Sequence, residues 1–471
     1  MKSLKYKTFA TLLFTACSFS SFAENSSESL SNINPEVDKL FKAFTSETPG
    51  CAVAVDKDGQ IDHLAAYGMG DFEQNIELKP QSVFYAASVS KQVVAMAALL
   101  MEREGLIDLD EDIHTYIPEF QDYGNKLTIR QVLHHTSGIR DYFGLFWLAG
   151  TLDGMVISAD KIMDILSRQK SLNFSPGEKW AYSNSAYFLI SQISERVAGK
   201  TLDEYSQEKI FGPLKMTSSK FQHNHRRPIS NKAHGHSLQD NGEWFIANST
   251  LDVVGSGGMY TTVEDLIKWD RNFYDNQLGT GQDMIEEMET SGVLNNGEAT
   301  EYGLALSLKP YRGLTRRSHG GSLTGYRAFL QRFPEQRFSV ALLCNSSEVN
   351  SAELATAVSD VYLANIYSEP AVLSQSTPEE KAHVPLPDTQ SLEDFEGDFY
   401  NNEVDNTIKV AAVKDGITLS IDDDLVLRFV GNDTFEGQWG SQFNFQRDSD
   451  GNITGFTFNT SRVMGVHFVK Q

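Results

Sequence analysis

Cysteine and positive charge are both scarce in this sequence. Only three cysteines occur among 471 residues, and 40 basic residues stand against 63 acidic ones, which gives a formal net charge of -23. This excess of negative charge argues against nucleic acid and anionic membranes as partners, because both are polyanions. Hydrophobic residues make up 40% of the chain, which is enough for a buried core. The length favours two or three domains.

Long hydrophobic runs are also missing, apart from one near the N-terminus. There the basic MKSLKYK precedes the apolar TFATLLFTACSFSSFA, which ends with the small residues Ser21 and Ala23. This order is typical of a secretory signal peptide over residues 1–23, and the run is too short for a comfortable membrane span. We therefore expect cleavage after Ala23 and export to the periplasm or the medium. A lipid anchor at Cys17 is the alternative, which Phe14 disfavours.

The other two cysteines lie in apolar runs that are typical of strands. Cys51 opens CAVAV, and Cys344 stands near the end of FSVALLCN. Both fit small buried hydrophobic side chains. They also fit a disulfide, which an oxidising compartment allows. The sequence leaves the two interpretations open.

The order of elements predicts an α+β fold. Strand patterns occupy CAVAVDKDGQIDHLAAYG near the start and YGLALSL, GYRAFLQRF and RFSVALLCN near the end, with mainly helical patterns over 128–214. We expect one sheet, flanked by helices, that pairs its first and last strands within residues 24–367. The segment TTVEDLIKWDRNF predicts a helix with Thr261 and Glu264 as a capping box.

The texture of the sequence changes after this domain. Residues 368–391 are rich in Pro, Ser and charge and are interpreted as a linker. Residues 392–471 contain only short strand patterns with Asp-Gly turns, which predicts a small all-β barrel or sandwich. The segment DSDGN at 448–452 lacks the distal glutamate of a calcium loop and is interpreted as a turn.

Ser88 and Lys91 form a Ser-x-x-Lys pair between a strand pattern and the apolar helix VVAMAALLMEREG, in which Gly105 is expected to end the helix. The spacing places the lysine amine beside the serine hydroxyl. Burial would lower the pKa of the amine and make it a usable base. The pattern is weak by itself, because it also occurs from Ser158, Ser167 and Ser206. A serine helix cap beside a snorkelling lysine is the structural alternative.

Two further motifs strengthen the catalytic interpretation. Tyr182 and Asn184 form a Tyr-x-Asn at a turn that leads into an apolar helix, and they could supply a proton shuttle and an orienting amide. His319, Gly320 and Gly321 precede a strand, where glycines would let a substrate approach the strand edge closely. An ordinary capped loop and an ordinary glycine bend are the structural alternatives.

Together these motifs resemble the serine hydrolases of the class C β-lactamase, DD-peptidase and esterase superfamily. The resemblance runs from about residue 34 to 367 and includes LTIRQVLHHTSGIRDY, SPGEKWAYSN, GSGGMYTTVEDLIKWD and YGLAL. It implies a β-lactamase/transpeptidase-like antiparallel sheet with an all-helical subdomain. It also implies that Ser88 is the nucleophile, Lys91 its base, Tyr182 the proton shuttle and Asn184 the orienting amide.

The third motif departs from the β-lactamase pattern. Those enzymes carry Lys where this chain has His319, whereas His-x-Gly is more usual in peptidase, aminopeptidase and esterase members. The resemblance assigns His319, Gly320 and Gly321 to the substrate side of the site. It assigns the oxyanion hole to the backbone N–H groups of Ser88 and Ser322.

The C-terminal residues resemble the lipocalin-like accessory domain of some D-aminopeptidase-type hydrolases, with RVMGVHF as the matching segment. Such a domain shapes the entrance of the active site or joins subunits, so a homo-oligomer is one expected arrangement. We interpret the aromatic segment DYFGLFW at 141–147 equally as core packing and as the lining of an acyl pocket. Arg316, Arg317 and Arg327 are interpreted as exposed strand charges rather than as grips for a substrate carboxylate.

The sequence thus predicts an exported serine hydrolase that cleaves an amide or ester through an acyl-enzyme. Its expected substrate is a small peptide, D-amino-acid compound or ester, and no cofactor or metal is expected. Two His-x-His pairs, at 223–225 and 234–236, lack supporting ligands and are interpreted as surface loops. A poorly turning-over penicillin-binding or receptor-like protein is the alternative, and a true β-lactamase is disfavoured by His319.

Overall fold

The computed structural model describes residues 33–152, 154–279, 281–370, 384–387 and 391–471. The expected signal peptide lies outside these residues, as does most of the expected linker. No helix in the described part of the chain combines the length and the apolarity needed to cross a bilayer.

The described residues form ten α-helices, most of them in the first three quarters of the chain. These helices are α1 Pro35–Leu40, α2 Lys91–Arg103, α3 Ile129–Leu133, α4 Tyr142–Leu148, α5 Ala159–Ser167, α6 Asn184–Ala198, α7 Leu202–Ser206, α8 Val263–Arg271, α9 Asp283–Met288 and α10 Ser351–Leu363. Short 3-10 turns lie at Ala87–Ser90, Ile113–Thr115, Pro334–Gln336, Leu392–Phe395 and Gln438–Gly440, and a π turn lies at Gln207–Phe211.

The strands fall into one large sheet, several small pairs and a closed barrel. The first fourteen are β1 Cys51–Lys57, β2 Gln60–Tyr67, β3 Met69–Asp71, β4 Ile76–Glu77, β5 Phe84–Tyr85, β6 Ile157–Ser158, β7 Lys220–Phe221, β8 His236–Leu238, β9 Trp244–Ile246, β10 Leu251–Asp252, β11 Met259–Thr261, β12 Arg317–Leu323, β13 Tyr326–Phe333 and β14 Phe338–Cys344. The barrel strands are β15 Gly397–Asn401, β16 Asn406–Val413, β17 Gly416–Leu419, β18 Asp422–Gly431, β19 Thr434–Glu436, β20 Gln442–Arg447, β21 Ile453–Asn459 and β22 Val466–Lys470.

The large sheet is antiparallel, with the strand order β12-β13-β14-β1-β2. The first strand of the sequence, β1, lies beside the last strand of the domain, β14. This pairing and the α+β fold class are therefore confirmed. Side chains alternate across β1, so Ala52 and Ala54 join the core beneath α8, while Val53 and Val55 join the core beneath α1 and α10. Both faces of the sheet are thus covered.

A disulfide joins Cys51 on β1 to Cys344 on β14, two residues that stand directly opposite each other in the sheet. The bond closes a loop with a sequence separation of 293 residues. Both cysteines are fully buried. The structure thereby resolves the alternatives that the sequence leaves open.

Two local predictions are wrong. The expected capping box at Thr261 and Glu264 is not formed, because Thr262 is the N-cap of α8 and its hydroxyl accepts from the N–H of Asp265. Thr261 instead belongs to β11. The segment YGLALSL is not a regular strand, because Ala305 has φ +58° and the chain folds back through an isolated bridge between Tyr302 and Ser307.

The C-terminal strands β15–β22 close into an eight-stranded antiparallel barrel, in which β15 pairs with β22. The barrel interior is filled by phenylalanine rings, among which Phe456 and Phe468 stack at 4.8 Å. The barrel packs against α4, where the Trp147 ring lies 5.7 Å from the Phe458 ring. A Cβ on Gly144 would lie 2.7 Å from Val463, so this contact is close.

Candidate active site

Ser88 lies on a strained turn that directs it into a cleft. Strand β5 ends at Tyr85, and the 3-10 turn Ala87–Ser90 follows, with Ala87 in the left-handed region at φ +46°. A non-glycine residue rarely adopts this conformation, and such strain is common at functional sites. The cleft has a volume of about 730 Å³ and is lined by Ser88 together with residues of all three motifs.

Lys91 is the first residue of α2 and is completely buried. Its Nζ lies 3.1 Å from Ser88 Oγ, 2.9 Å from Asn184 Oδ1 and 2.5 Å from the carbonyl oxygen of Ser256. A neutral amine has two N–H donors and one lone pair. The two carbonyl oxygens can accept both N–H groups, which leaves the lone pair for the Ser88 hydroxyl.

The surroundings of Lys91 favour this neutral form. Burial lowers the pKa of the Lys91 amine well below its ordinary value. The negative charge of Asp141 opposes this change, and the positive charge of Arg462 adds to it. Helix α2 is buried on every side from Lys91 to Met101, which accounts for the desolvation. Gly105 has φ +70° and lies just beyond the end of this helix, as expected.

Tyr182 lies beside the same pair. Its buried hydroxyl faces the Ser88 side chain, and its ring centre is 5.0 Å from Lys91 Nζ. Burial raises the pKa of the Tyr182 hydroxyl, and neither the Ser88 hydroxyl nor the charge of Arg462 cancels this rise. The hydroxyl therefore carries its proton at neutral pH and can donate it.

Asn184 begins helix α6 and is held on two sides. Its Oδ1 accepts from Lys91, while its Nδ2 donates to Asp141 Oδ2 at 2.9 Å. Ser183 caps α6 by accepting from the N–H of Ala186 at 3.2 Å. The turn at Ser183 and Asn184 thus both caps helix α6 and orients the Asn184 side chain.

His319 is buried on β12 and is uncharged at neutral pH. Its Nδ1 contacts the carbonyl of Gly320 at 2.7 Å, and its Nε2 contacts the hydroxyl of Tyr302 at 2.9 Å. This pattern fits a neutral ring that donates from Nδ1 and accepts at Nε2. Burial lowers the pKa of His319 to about 4, with a smaller contribution from Lys91. The third motif therefore supplies no positive charge here.

Gly320, Gly321 and Ser322 line the cleft along β12, the edge strand of the large sheet. A Cβ on Gly321 would lie 2.4 Å from the carbonyl oxygen of Ala86, so Gly321 lets β12 approach the turn that carries Ser88. The sequence predicts that these glycines let a substrate approach the strand. At Gly321 the close approach is instead between β12 and the turn that carries Ser88. Ser88 and Ser322 both line the cleft, and the role of their backbone N–H groups as the oxyanion hole stays a prediction.

Four residues at the site were missed as site residues, although each lies in a segment that the sequence analysis quoted. Asp141 stands in DYFGLFW, Ser256 in GSGG, Tyr302 in YGLAL and Arg462 in RVMGVHF. At GSGG the backbone passes close to Tyr85, since the N–H of Gly258 donates to the Tyr85 hydroxyl at 3.0 Å. Their residue types gave no signal, because only the fold brings Asp141, Ser256 and Arg462 to Lys91 and Tyr302 to His319.

The aromatic segment at 141–147 forms helix α4 after its N-cap, Asp141, and it contributes both to the core and to the lining of the cleft. Tyr142 is buried and its hydroxyl lies 2.8 Å from Ser256 Oγ, whereas Phe143 lines the cleft. Trp147 packs against the barrel. Because α4 touches both the cleft and the barrel, it links the two.

The arginines that were interpreted as exposed strand charges have different surroundings in the structure. Arg317 pairs with Glu289 at 3.0 Å, and the Arg316 guanidinium lies 5.2 Å from the Tyr311 ring, so both have partners elsewhere. Arg327 lines the cleft, with Nη1 donating to the carbonyl of Thr324 at 2.8 Å. Arg462, on the barrel loop between β21 and β22, also lines the cleft.

The comparisons with known proteins agree with this arrangement. The sequence model of the beta-lactamase family matches residues 37–363, which is more than half of the chain. Penicillin-binding protein 4* of Bacillus subtilis is 27% identical over 311 residues, which cover 63% of this chain and 68% of that protein. The D-aminopeptidase of Cereibacter sphaeroides is 27% identical over 299 residues, and the match spans only 57% of its length and 63% of this chain.

A structural comparison extends the similarity to the barrel. The octameric penicillin-binding protein homologue from Pyrococcus abyssi superposes with a TM-score of 0.63 at 21% identity. The alignment covers 93% of this chain and 98% of that one, so the fold is shared over almost the whole length. The resemblance inferred from the motifs is confirmed by the family match. The chain belongs to the beta-lactamase family.

Proposed function

We propose that this protein is a serine hydrolase that cleaves an amide or ester through an acyl-enzyme on Ser88. The observation that carries the proposal is the position of Lys91. Its amine lies 3.1 Å from Ser88 Oγ, and its other two contacts are the carbonyl oxygens of the Asn184 side chain and of the Ser256 backbone. A buried neutral lysine in this geometry is a base for the serine hydroxyl. Membership of the beta-lactamase family and similarity to D-aminopeptidases support hydrolase activity.

The proposed reaction uses the proton positions described above. Lys91 takes the proton of Ser88 as Oγ attacks the carbonyl carbon of the substrate, and the N–H groups of Ser88 and Ser322 stabilise the oxyanion. Tyr182 then donates its proton to the leaving group and recovers one from Lys91. The same pair then deprotonates a water molecule, which attacks the acyl carbon of the acyl-enzyme. The bond from this carbon to Ser88 Oγ breaks, the proton returns to Oγ, and the acid is released.

The charge of the cleft narrows the substrate class. Two arginines, Arg327 and Arg462, line it, whereas no Asp or Glu is found among the described residues of its lining. A free substrate ammonium would find no counter-ion there, while a carboxylate would find a cation. We therefore expect a peptide or ester that carries a carboxylate near the scissile bond, rather than one recognised by a free N-terminal amine.

The test is turnover by the mature protein against Ser88→Ala, with p-nitrophenyl acetate as a neutral substrate. A D-alanyl-D-alanine-type dipeptide derivative, its C-terminal carboxamide and D-alanyl p-nitroanilide form the comparison set. We expect activity that is lost in Ser88→Ala, and a lower KM for the carboxylate than for the carboxamide. Equal turnover by wild type and Ser88→Ala would refute the nucleophile. Preference for D-alanyl p-nitroanilide would refute the proposed substrate class.

Export is part of this proposal. The basic and apolar N-terminal pattern supports a signal peptide, and the Cys51–Cys344 disulfide is of a kind that persists in oxidising compartments. N-terminal sequencing of the protein recovered from the periplasm or medium tests this, with residue 24 as the expected first residue. A protein retained in the cytoplasm with residues 1–23 intact would contradict it.

We also propose that the chain assembles into a homo-oligomer in which the β-barrel takes part. The octameric homologue from Pyrococcus abyssi, which aligns over the barrel as well, supports this. Light scattering on the purified full chain tests the assembly, and a monomer at micromolar concentration would contradict it.

A further inference from the structure

Asp141 holds the catalytic amide from the side opposite to Lys91. Its buried carboxylate accepts the backbone N–H of Asn184 at 2.6 Å and the side-chain Nδ2 of Asn184 at 2.9 Å, both through Oδ2. Its Oδ1 accepts the N–H of Phe143 at 3.0 Å. All three partners are N–H donors, so the side chain at position 141 must have two oxygens that both accept hydrogen bonds. A carboxylate meets this requirement, whereas an amide would place an NH2 group against one of the donors.

This contact determines which way the Asn184 amide faces. A side-chain amide has one donor end and one acceptor end, and the carboxylate of Asp141 takes the donor end. The acceptor end, Oδ1, therefore faces Lys91 Nζ at 2.9 Å. If the amide were reversed, its NH2 group would compete with Ser88 for the lone pair of the lysine. The orientation of Asn184 is thus a condition for Lys91 to act as the base.

We propose that Asp141 is a positioning residue for acyl transfer, which acts by fixing Asn184 so that the free lone pair of Lys91 is directed at Ser88. This inference rests on the proposed function. It assigns a role to Asp141 beyond the N-cap that its Oδ1 provides for helix α4.

The β-barrel holds Asp141 in place. The backbone N–H of Asp141 donates to the carbonyl of Arg462 at 3.2 Å, on the loop between β21 and β22. The neighbouring Arg140 is buried, and its side chain donates to Glu403 at 2.8 Å and to the carbonyl of Met464 at 3.1 Å. The segment that carries Asp141 is therefore clamped between the helical region and the barrel.

The charge of Asp141 gives the proposal a second readout. Its carboxylate raises the pKa of Lys91 against the effect of burial. The other charged or titratable groups around Lys91 are Arg462, His135, His319, Tyr182 and Tyr187. Among these Arg462 acts on Lys91 in the opposite direction. Removal of the Asp141 charge should therefore lower the pKa of the lysine.

The first experiment measures p-nitrophenyl acetate hydrolysis by Asp141→Asn and Asp141→Ser as functions of pH. Serine keeps an N-cap for α4 but provides no carboxylate for Asn184. We expect kcat to fall by about 10- to 100-fold in both variants, because the base is misdirected. We also expect the acid limb of kcat/KM to move to lower pH. Asp265→Asn is the matched control, since Asp265 is an equally buried carboxylate that accepts from Ser218 and Ser219.

The second experiment places Asp141→Ser in an Asn184→Ala background. If Asp141 acts through Asn184, the double variant should lose little more kcat than Asn184→Ala alone. The proposal would be overturned if the fold-loss of kcat in the double variant equalled the product of the losses in the two single variants. An Asp141→Ser variant with wild-type kcat and an unmoved acid limb would also overturn it. A wild-type protein without Ser88-dependent turnover would instead refute the proposed function, so the two failures are distinguishable.

Discussion

The guanidinium of Arg462 lies over the ring of Tyr182, with 4.8 Å between its carbon and the ring centre. Arg462 belongs to the C-terminal barrel, whereas Tyr182 belongs to the hydrolase part of the chain. The barrel thus places a positive charge next to the group that faces Ser88. Its charge lowers the pKa of both Lys91 and Tyr182 relative to what burial alone would produce.

Removal of this charge should move the pH dependence in the direction opposite to that of the Asp141 variants. In Arg462→Ala the pKa of Lys91 should rise, so the acid limb of kcat/KM for p-nitrophenyl acetate should shift to higher pH. Lys409→Ala is a suitable control, because it removes one positive charge from an exposed position on β16 outside the cleft lining. An unchanged acid limb in Arg462→Ala would show that the arginine has no electrostatic effect on Lys91.

Replacement of Lys91 by arginine should abolish most of the activity although it keeps N–H donors at this position. Arginine stays protonated at all working pH values, so it cannot take the proton of Ser88. We expect kcat for the ester to fall by about 10²- to 10⁴-fold, as in Lys91→Met. Wild-type activity in Lys91→Arg would mean that Lys91 serves only as a charge or hydrogen-bond donor.

Gly321→Ala should lower the activity more than Gly320→Ala does, because only Gly321 packs tightly against the turn that carries Ser88. The added Cβ at 321 would meet the carbonyl oxygen of Ala86 at 2.4 Å, whereas at 320 the nearest atom, on the Phe329 ring, is 3.4 Å away. A displacement of the Ser88 turn by this clash should lower kcat by about 100-fold. Circular dichroism would establish that both variants fold. A larger loss in Gly320→Ala would contradict the proposed packing.

The buried histidine of the third motif should make the fold sensitive to acid. The pKa of His319 is about 4 in the folded chain, against an ordinary value of 6.5, so the unfolded state binds its proton more readily. As far as His319 is concerned, the free energy of unfolding has its full value above pH 6.5. It falls by about 3 kcal/mol as the pH drops towards 4.

Urea unfolding at pH 7.5 and pH 4.5 measures this difference. Between these pH values His319→Gln should lose less stability than the wild type does. His467→Gln, at an exposed barrel position, should behave like the wild type. Equal losses in wild type and His319→Gln would contradict the prediction.

The disulfide should contribute measurably to stability. It ties β1 to β14 across a sequence separation of 293 residues, so it restricts the unfolded chain strongly. We expect the Cys51→Ala/Cys344→Ala double variant to be less stable by about 2–5 kcal/mol in urea unfolding. Dithiothreitol should destabilise the wild type and leave the double variant unaffected. Dithiothreitol sensitivity in the double variant would mean that the reductant acts elsewhere.

Much of the hydrolase fold could be predicted from local patterns. The apolar strands around CAVAV and FSVALLCN, and the apolar helix after Ser88, are visible in the sequence because periodicity and turn residues report on local conformation. Prediction failed at YGLALSL, where alternation suggests a strand but Ala305 adopts a left-handed conformation. Tertiary contacts around Tyr302 override the local preference there.

The sequence by itself determined the three motifs, the residues within them and the existence of a separate β region. Only the tertiary structure decided which groups surround Lys91. Asp141, Ser256 and Arg462 come from three distant segments, and their contacts depend on how α4, the Gly-rich turn and the barrel loop pack together. Motif spacing encodes neighbours within a helix or strand, but the burial and charge that set a pKa come from the whole fold.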